Sequence, residues 1–145
     1  MNYEYTLDCP HYLTGVINKH LKESLVKNVK KEGLNLSNQQ IHLLLYLFEE
    51  DGLSQKRLSE LTRMNKISIV KALNLLEANN LAFRVQDHVD QRNKNIFLTA
   101  EGKNLKAPIH QVIDQHRAAV FKGISGEEAE IYKTVLRKML KNLTG

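Results

Sequence analysis

Cysteine, proline and tryptophan are scarce in this 145-residue sequence, which has one, two and none of them. The single cysteine, Cys9, excludes an internal disulfide and a four-cysteine zinc site. No stretch approaches the roughly 20 apolar residues that a membrane helix needs, and the first residues lack the basic-then-apolar order of a signal peptide. These absences predict a cytoplasmic protein with no membrane partner.

The motifs of the common enzyme classes are also missing. The sequence has no G-x-S-x-G nucleophile elbow, no P-loop, no H-E-x-x-H metal motif and no glycine-rich dinucleotide fingerprint. We therefore expect a binding protein that is not an enzyme and uses no cofactor.

Positive charge is present and is unevenly distributed. The formal net charge is +5 and the sequence pI is about 9.3. Residues 54–103 hold nine Lys or Arg against five Asp or Glu, so this third of the chain is +4 and the remainder is +1. Such an excess permits nucleic acid or an anionic membrane as a partner, and residues 54–103 are the segment expected to contact it.

The spacing of apolar residues predicts helices at both ends of the chain. A three- and four-residue spacing predicts an amphipathic helix over 11–32. A capping box at Ser37 opens a mostly apolar helix over 37–50, and a second capping box at Ser125 opens the last helix.

The middle of the chain has the pattern of a helix-turn-helix followed by a hairpin. Ser54 caps one short helix, and Asn65 caps the next. Residues 82–86 and 95–99 then alternate apolar and polar side chains, which predicts two strands joined by a polar tip at 87–94. Together these elements predict a winged helix-turn-helix.

The two ends of the chain have more apolar surface than the central module can cover. A helix that begins after Thr99 contains Pro108, which should kink or split it. We expect a mainly α fold in which residues 37–103 form the winged helix-turn-helix, while 1–36 and 104–145 form a helical dimerisation region. A symmetric homodimer would present two winged helices to half-sites about 34–36 Å apart, one turn of DNA.

The wing segment carries a specific resemblance. It reads Asp90-x-Arg92 followed by Ile96-x-Leu98-Thr99-x-x-Gly102, and Leu75-Leu76-Glu77 and Arg84 precede it. With the helix order, it resembles the D-x-R…(I/L)-x-L-T-x-x-G pattern of the MarR/SlyA family of bacterial regulators over nearly the whole chain. Asn80 stands where the family usually has glycine, and the uncharged Gln91 stands where relatives are often basic. The resemblance implies a homodimeric repressor that binds a pseudo-palindromic operator and releases it when a small aromatic or lipophilic effector binds.

Side chains that could contact double-stranded DNA occur in three places. The start of the first short helix can bind a phosphate through its N–H groups, the second can read base edges, and an arginine at the wing tip can enter the minor groove. The alternative for each is an ordinary solvated surface. The resemblance implies that Asp90 pairs with an arginine and orients the wing. The candidates for DNA contact are Ser54, Gln55, Lys56 and Arg63, then Asn65, Lys66, Ser68, Lys71 and Asn74, and finally Arg84, Arg92 and Lys94.

The resemblance also places an effector between the dimer helices and the winged helix. The residues expected to line that pocket are Tyr12, Val16, His42 and Tyr46. Their alternative role is that of ordinary core residues.

Two other kinds of sensing stay open. Cys9, with Tyr3 and other tyrosines nearby, is similar in position to a peroxide-sensing cysteine of one branch of the family, and such a residue must be a reachable thiolate. His110 and Asp114 lie four residues apart on a predicted helix and could hold zinc with His42, as in zinc-sensing relatives. No ligand set is complete in the sequence, so no metal is predicted. A thiol-based or zinc-responsive regulator, and a winged helix that binds only protein, are therefore alternatives.

Overall fold

The computed structural model describes residues 4–145, so that Tyr3 lies outside the described residues. Helices dominate, and a three-stranded antiparallel sheet has the order β1-β3-β2. The elements are α1 (Pro10–Lys31), α2 (Asn38–Glu49), β1 (Leu53–Ser54), α3 (Gln55–Thr62), α4 (Lys66–Ala78), β2 (Ala82–Gln86), β3 (Lys94–Leu98), α5 (Ala100–Asn104), α6 (Lys106–Val120) and α7 (Gly126–Thr144). The predicted winged helix-turn-helix is confirmed.

The helix starts follow the capping residues that the sequence indicates. Ser37 accepts a hydrogen bond from the Gln40 amide at 3.2 Å, and its own N–H donates to the Gln40 side chain at 2.9 Å. Ser54, Asn65 and Ser125 likewise accept from amides three residues ahead. Each cap satisfies an N–H group that the first helical turn leaves without a backbone partner, which is why these short polar residues locate the helix starts.

The helix interrupted by proline is split, as predicted. One helix ends at Asn104 and the next begins at Lys106, with Leu105 between them. Pro108 has no N–H to donate to the carbonyl of Asn104, and its ring crowds that carbonyl. The α-helical ladder therefore cannot continue through this point.

The hairpin forms with a third, very short strand beside it. Ala82 pairs with Leu98 and Gln86 with Lys94. β2 has the predicted bounds, and β3 begins and ends one residue earlier than the predicted 95–99. Leu53 pairs with Ile96 on the other edge of β3. Gly52 makes this possible, because its φ of 83° suits a glycine turn and its N–H donates to the Ile96 carbonyl at 2.9 Å.

The apolar core lies inside the winged helix. It is built mainly from α2, α4 and the inner face of the sheet, with Leu43, Leu44, Leu73 and Leu76 almost fully buried. Val29 of α1 and the pair Ile109 and Val112 of α6 extend this core toward the ends of the chain. In contrast, α7 has no buried residue.

Across residues 4–145, the structure has no helix that combines the length and apolar character needed to cross a bilayer.

Candidate nucleic-acid interface

A cleft of about 630 Å³ lies between α3, the start of α4 and the wing. Four cationic side chains line it, and they come from three separate elements: Lys56, Lys66, Arg92 and Lys94. The acidic Glu60 also lines the cleft, and Arg57 approaches it at 3.4 Å. The fold therefore gathers cations from distant parts of the sequence on one concave surface, which suits a polyanion.

The first turn of α3 faces this cleft. Ser54 accepts a hydrogen bond from the Arg57 amide at 3.0 Å, and Gln55 and Lys56 line the cleft directly. The cap satisfies one of the free N–H groups of the first turn, and the remaining N–H groups suit a phosphate oxygen.

The turn between the two short helices puts Arg63 in the left-handed region, with φ of 55°. Thr62 supports the turn, since its hydroxyl donates to the Leu58 carbonyl at 2.7 Å and accepts from the Met64 amide at 3.3 Å. A non-glycine residue at positive φ carries conformational strain that the surrounding bonds must offset. The predicted break is confirmed, and the Arg63 side chain is exposed there.

The helix α4 separates a buried face from an outward face. Ile69, Ala72, Leu73 and Leu76 face the core. Asn65 caps the helix by accepting from the Ser68 amide at 2.8 Å, and Ser68 is half-buried, so these two candidates have structural contacts of their own. The outward face forms a shallow depression of about 530 Å³ lined by Lys66, Ile67, Val70, Lys71, Asn74 and Leu75.

Arg84 points back onto α4 rather than outward. Its guanidinium pairs with Glu77 at 2.8 Å and donates to the Asn74 side-chain oxygen at 2.9 Å, and its side chain is only 17% exposed. Glu77 also accepts the Arg84 amide at 3.1 Å. This geometry gives no support to the predicted contact of Arg84 with DNA, and it identifies Arg84 as a brace that ties β2 to α4 and positions Asn74.

Hydrogen bonds to Asp87 order the wing tip. Its carboxylate accepts the amides of Val89 at 2.7 Å and Asp90 at 3.2 Å, and the Asn95 side chain at 3.2 Å. These hydrogen bonds hold the pKa of the Asp87 carboxyl below its ordinary value. The Val89 backbone amide has the largest effect, followed by the Asp90 backbone amide and the Asn95 side chain. Asp87 was not among the site residues predicted from the sequence, where its signal is an Asp at the start of a polar tip.

Asp90 has a backbone partner in place of the arginine that the resemblance implies. Its carboxylate accepts the Arg92 amide at 3.1 Å, and its carbonyl accepts the Asn93 amide at 2.9 Å. Over residues 4–145, the ion pairs do not include Asp90. Asp90 thus shapes the turn that carries Arg92, and the guanidinium of Arg92 is left exposed at the mouth of the cleft.

The T-x-x-G motif forms the base of the wing. Thr99 accepts the Gly102 amide at 3.0 Å, and its hydroxyl donates to the Asn80 carbonyl at 2.7 Å. A Cβ atom at Gly102 would lie 2.1 Å from the Leu81 carbonyl oxygen, which explains the glycine. Asn80 has φ of 56° and donates a side-chain hydrogen bond to Glu101, so it adopts the left-handed conformation that glycine and asparagine tolerate best.

The four predicted effector-pocket residues lie on α1 and α2. Val16 lines a groove of about 480 Å³ along α1, and the other three do not line that groove. His42 and Tyr46 contact each other on α2 with ring centres 5.4 Å apart, and the Tyr46 hydroxyl donates to the Leu61 carbonyl at 3.2 Å. Burial, followed by the nearby Lys22 charge, lowers the pKa of His42. Tyr12 is exposed near the start of α1.

A separate cavity of about 260 Å³ lies between α1, α6 and the start of α2. Apolar side chains and the polar groups Lys22, His116 and Arg117 line it. The His116 ring and the Ser24 hydroxyl form a 2.6 Å hydrogen bond that joins α6 to α1 beside it. The sequence does not reveal this cavity, because its walls come from three helices that are far apart in the chain.

The residues considered for other kinds of sensing have structural partners. The Cys9 sulfur caps α1 by accepting the Tyr12 amide at 3.4 Å, and the thiol donates to the Thr6 carbonyl at 3.4 Å. The His110 ring meets Phe48 edge-on at 5.8 Å. Within the described part of the chain, His, Cys, Asp and Glu form no group of three that could hold a metal ion. Redox sensing through Cys9 stays a prediction.

Comparison with known proteins gives several relatives, although no family model matches the chain. The chain is 30% identical to the transcriptional regulator HosA of Escherichia coli O111:H- over 110 residues, which cover 73% of this chain and 78% of that protein. It superposes on S. aureus MepR in complex with DNA with a TM-score of 0.80 and 28% identity, covering 94% of this chain and 97% of that one. A MarR family regulator from Listeria monocytogenes, complexed with a 26mer DNA, gives a TM-score of 0.79 at 26% identity, covering 90% of this chain and 85% of that one.

Proposed function

The chain belongs to the MarR/SlyA family of winged helix transcriptional regulators, and on that premise we propose that it represses transcription as a homodimer on a pseudo-palindromic operator until a small-molecule effector releases it. The relatives are transcriptional regulators, so this chain is a regulator and not an enzyme.

The cleft between α3, α4 and the wing is the observation that carries the proposal. Its four cations come from the three elements that meet a duplex when a winged helix binds DNA, and the side chains of Lys66 and Lys71 flank the outward face of α4. Cations on several elements supply phosphate contacts, while a helix in the major groove supplies base contacts. In this arrangement α4 enters the major groove, the start of α3 binds a phosphate, and Arg92 reaches the adjacent minor groove.

The ends of the chain support the homodimer. Ile131, Val135 and Leu143 of α7 lie on an apolar stripe at helical spacing and are 56%, 47% and 82% exposed. Ile17 of α1 and Ile124, just before α7, are exposed apolar residues as well. Exposed apolar patches of this kind are typical of protein–protein interfaces. A second copy of the same chain covers the α7 stripe, and the two-fold symmetry of such a dimer matches that of a pseudo-palindromic operator.

The cavity between α1, α6 and the start of α2 supports an effector site. Its apolar walls suit a small aromatic or lipophilic molecule, and Lys22 and Arg117 suit an acidic group on it. Because α1 and α6 belong to the proposed dimerisation region and pack on α2 of the winged helix, a ligand there biases the distance between the two recognition helices. It lowers DNA affinity by its preference for the wrongly spaced state.

Selection of bound fragments from a genomic DNA library at physiological salt tests the proposal. We expect enrichment of a pseudo-palindrome whose half-sites lie about one helical turn, or 34–36 Å, apart. Binding without any enriched sequence, or a salt-insensitive protein partner in place of DNA, would contradict it.

Arg92→Ala tests the wing on the selected operator. Removal of the guanidinium should weaken binding by roughly tenfold or more and lower the salt slope of log K by about 0.9 for each phosphate that the protein no longer neutralises. Arg137→Ala is the matched control, because it removes the same side chain from the exposed surface of α7, far along the chain from the wing. Equal affinities of the two variants would exclude the wing contact.

A further inference from the structure

The outward face of α4 contains an apolar residue that the fold does not use. Ile67, in the first turn of the helix, is 82% exposed. The side chains that face the core are Ile69, Ala72, Leu73 and Leu76, on the other side of the helix. Ile67 therefore contributes almost nothing to the apolar core.

Local helix stability does not account for Ile67 either. A β-branched side chain is a poorer helix former than alanine, lysine or glutamate at an exposed position, because the helix restricts its rotamers. The Asn65 cap already organises this helix start through the Ser68 amide. The exposed isoleucine is therefore available for a contact outside the chain.

The neighbours of Ile67 indicate what that contact is. Val70 and Lys71 follow it by three and four residues and Asn74 by seven, so all four lie on one face of the helix. Lys66 precedes it and lines both this depression and the cationic cleft. The apolar surface is thus flanked by two lysines, and the complementary surface must be anionic at its edges with an apolar group between them.

The major groove of DNA has this arrangement at a thymine. Phosphates form its two edges, and the C5 methyl of thymine is the apolar group that the base edges present there. Isoleucine has no hydrogen-bonding atoms, so it cannot read the donors and acceptors of the other bases.

We propose that Ile67, supported by Val70, reads the C5 methyl group of one thymine in each operator half-site. This inference rests on the proposed function and adds to it a specificity residue and the base that it selects. Lys66 and Lys71 bind the flanking phosphates, and the Arg84 contact holds the Asn74 amide in place beside them.

Replacement of each thymine of the selected operator by deoxyuridine, one position at a time, tests this contact. The change removes a single methyl group and leaves every hydrogen-bonding atom in place. At one position in each half-site we expect the affinity of the unaltered protein to fall about fourfold, as for one buried methyl-sized group. Ile67→Ala should bind the thymine and uracil operators equally, and Ile67→Val should keep most of the discrimination.

Four outcomes are distinguishable. The inference holds if replacement of one particular thymine by deoxyuridine weakens binding of the unaltered protein and of Ile67→Val, but not of Ile67→Ala. It is overturned if no thymine position responds, or if Ile67→Ala loses affinity for the uracil operator as the unaltered protein does. If the unaltered protein selects no DNA sequence, the proposed function fails and this inference with it. Thermal unfolding of Ile67→Ala should occur at the same temperature as that of the unaltered protein or slightly above it, because the side chain is exposed and alanine is the better helix former.

Discussion

Helices α4 and α7 have similar apolar stripes and opposite surroundings. In α4, Ile69, Leu73 and Leu76 are each no more than 1% exposed, because α2 and the sheet cover them. In α7, Ile131 and Val135 are at least 47% exposed. The apolar spacing that predicts a helix is present in both, so spacing identifies the face of a helix that avoids water but not what covers it.

The difference divides the molecule into a part that completes its own core and a part that does not. The winged helix holds most of the buried apolar residues of the core. The apolar stripe of α7 is left to the second copy in the proposed dimer.

A charge on the α7 stripe should have the largest effect. Val135→Asp would bury an unpaired carboxylate in the proposed interface, at a cost of about 3–5 kcal/mol, and so weaken dimerisation at least about a hundredfold. Sedimentation velocity should show a monomer, while circular dichroism shows the winged helix still folded.

Arg137→Asp is the control for this experiment. It makes a larger change in charge two residues further along α7, about 200° around the helix from Val135, and it should leave the dimer intact. A dimer that survived Val135→Asp would exclude the α7 stripe as the interface.

Leu76→Ala should have the next largest effect, on the stability of the winged helix. Leu76 is fully buried, and truncation of such a leucine costs about 2–5 kcal/mol because it leaves a cavity. In the monomeric Val135→Asp background, Leu143→Ala makes the same chemical change at a side chain that is 82% exposed, so there it should cost less than about 1 kcal/mol. Urea unfolding measures both. Equal destabilisation of the two variants would show that the division into a self-sufficient and a dependent part is wrong.

Gly102→Ala tests a single contact within the winged helix. The new Cβ would lie 2.1 Å from the Leu81 carbonyl oxygen, so the backbone at the base of the wing must shift, at a cost of about 1–3 kcal/mol. Gly126→Ala is the matched control, because a Cβ at Gly126 meets no heavy atom within 4 Å. If thermal unfolding did not separate the two variants, the close approach of Leu81 to Gly102 would not exist in solution.

Local signals were sufficient to predict most of the fold. The caps at Ser37, Ser54, Asn65 and Ser125 act within three residues, and Pro108 acts on the preceding turn, so these effects are written in neighbouring residues. The winged helix-turn-helix follows from their order along the chain.

Contacts between distant residues were not predictable in the same way. β1 has two residues and no periodicity, and it becomes a strand only because Ile96 lies beside it. The charge of Arg84 and its match to the family pattern predict a contact with DNA, but the fold turns it toward Glu77 and Asn74. Ile67 escapes prediction because an apolar residue in a helix usually belongs to the core, and only the packing shows that it faces outward.

The wing tip differs from the rest of the winged helix, because hydrogen bonds and not apolar burial maintain its structure. Asp87 is the acceptor for three of them, and they lower its pKa from an ordinary value of 3.8. A depressed pKa in the folded state means that the carboxylate stabilises the tip above the unfolded pKa, and that this stabilisation is lost as the pH falls through the folded value.

An NMR titration should therefore give a midpoint below 3.8 for the Asp87 carboxyl carbon, and the Val89 and Asp90 amide resonances should move with that midpoint. In Asp87→Asn this transition should disappear from both amides, while the buried core around Leu76 is unaffected. If the amides moved with another midpoint, or kept the transition in Asp87→Asn, then a different group orders the tip.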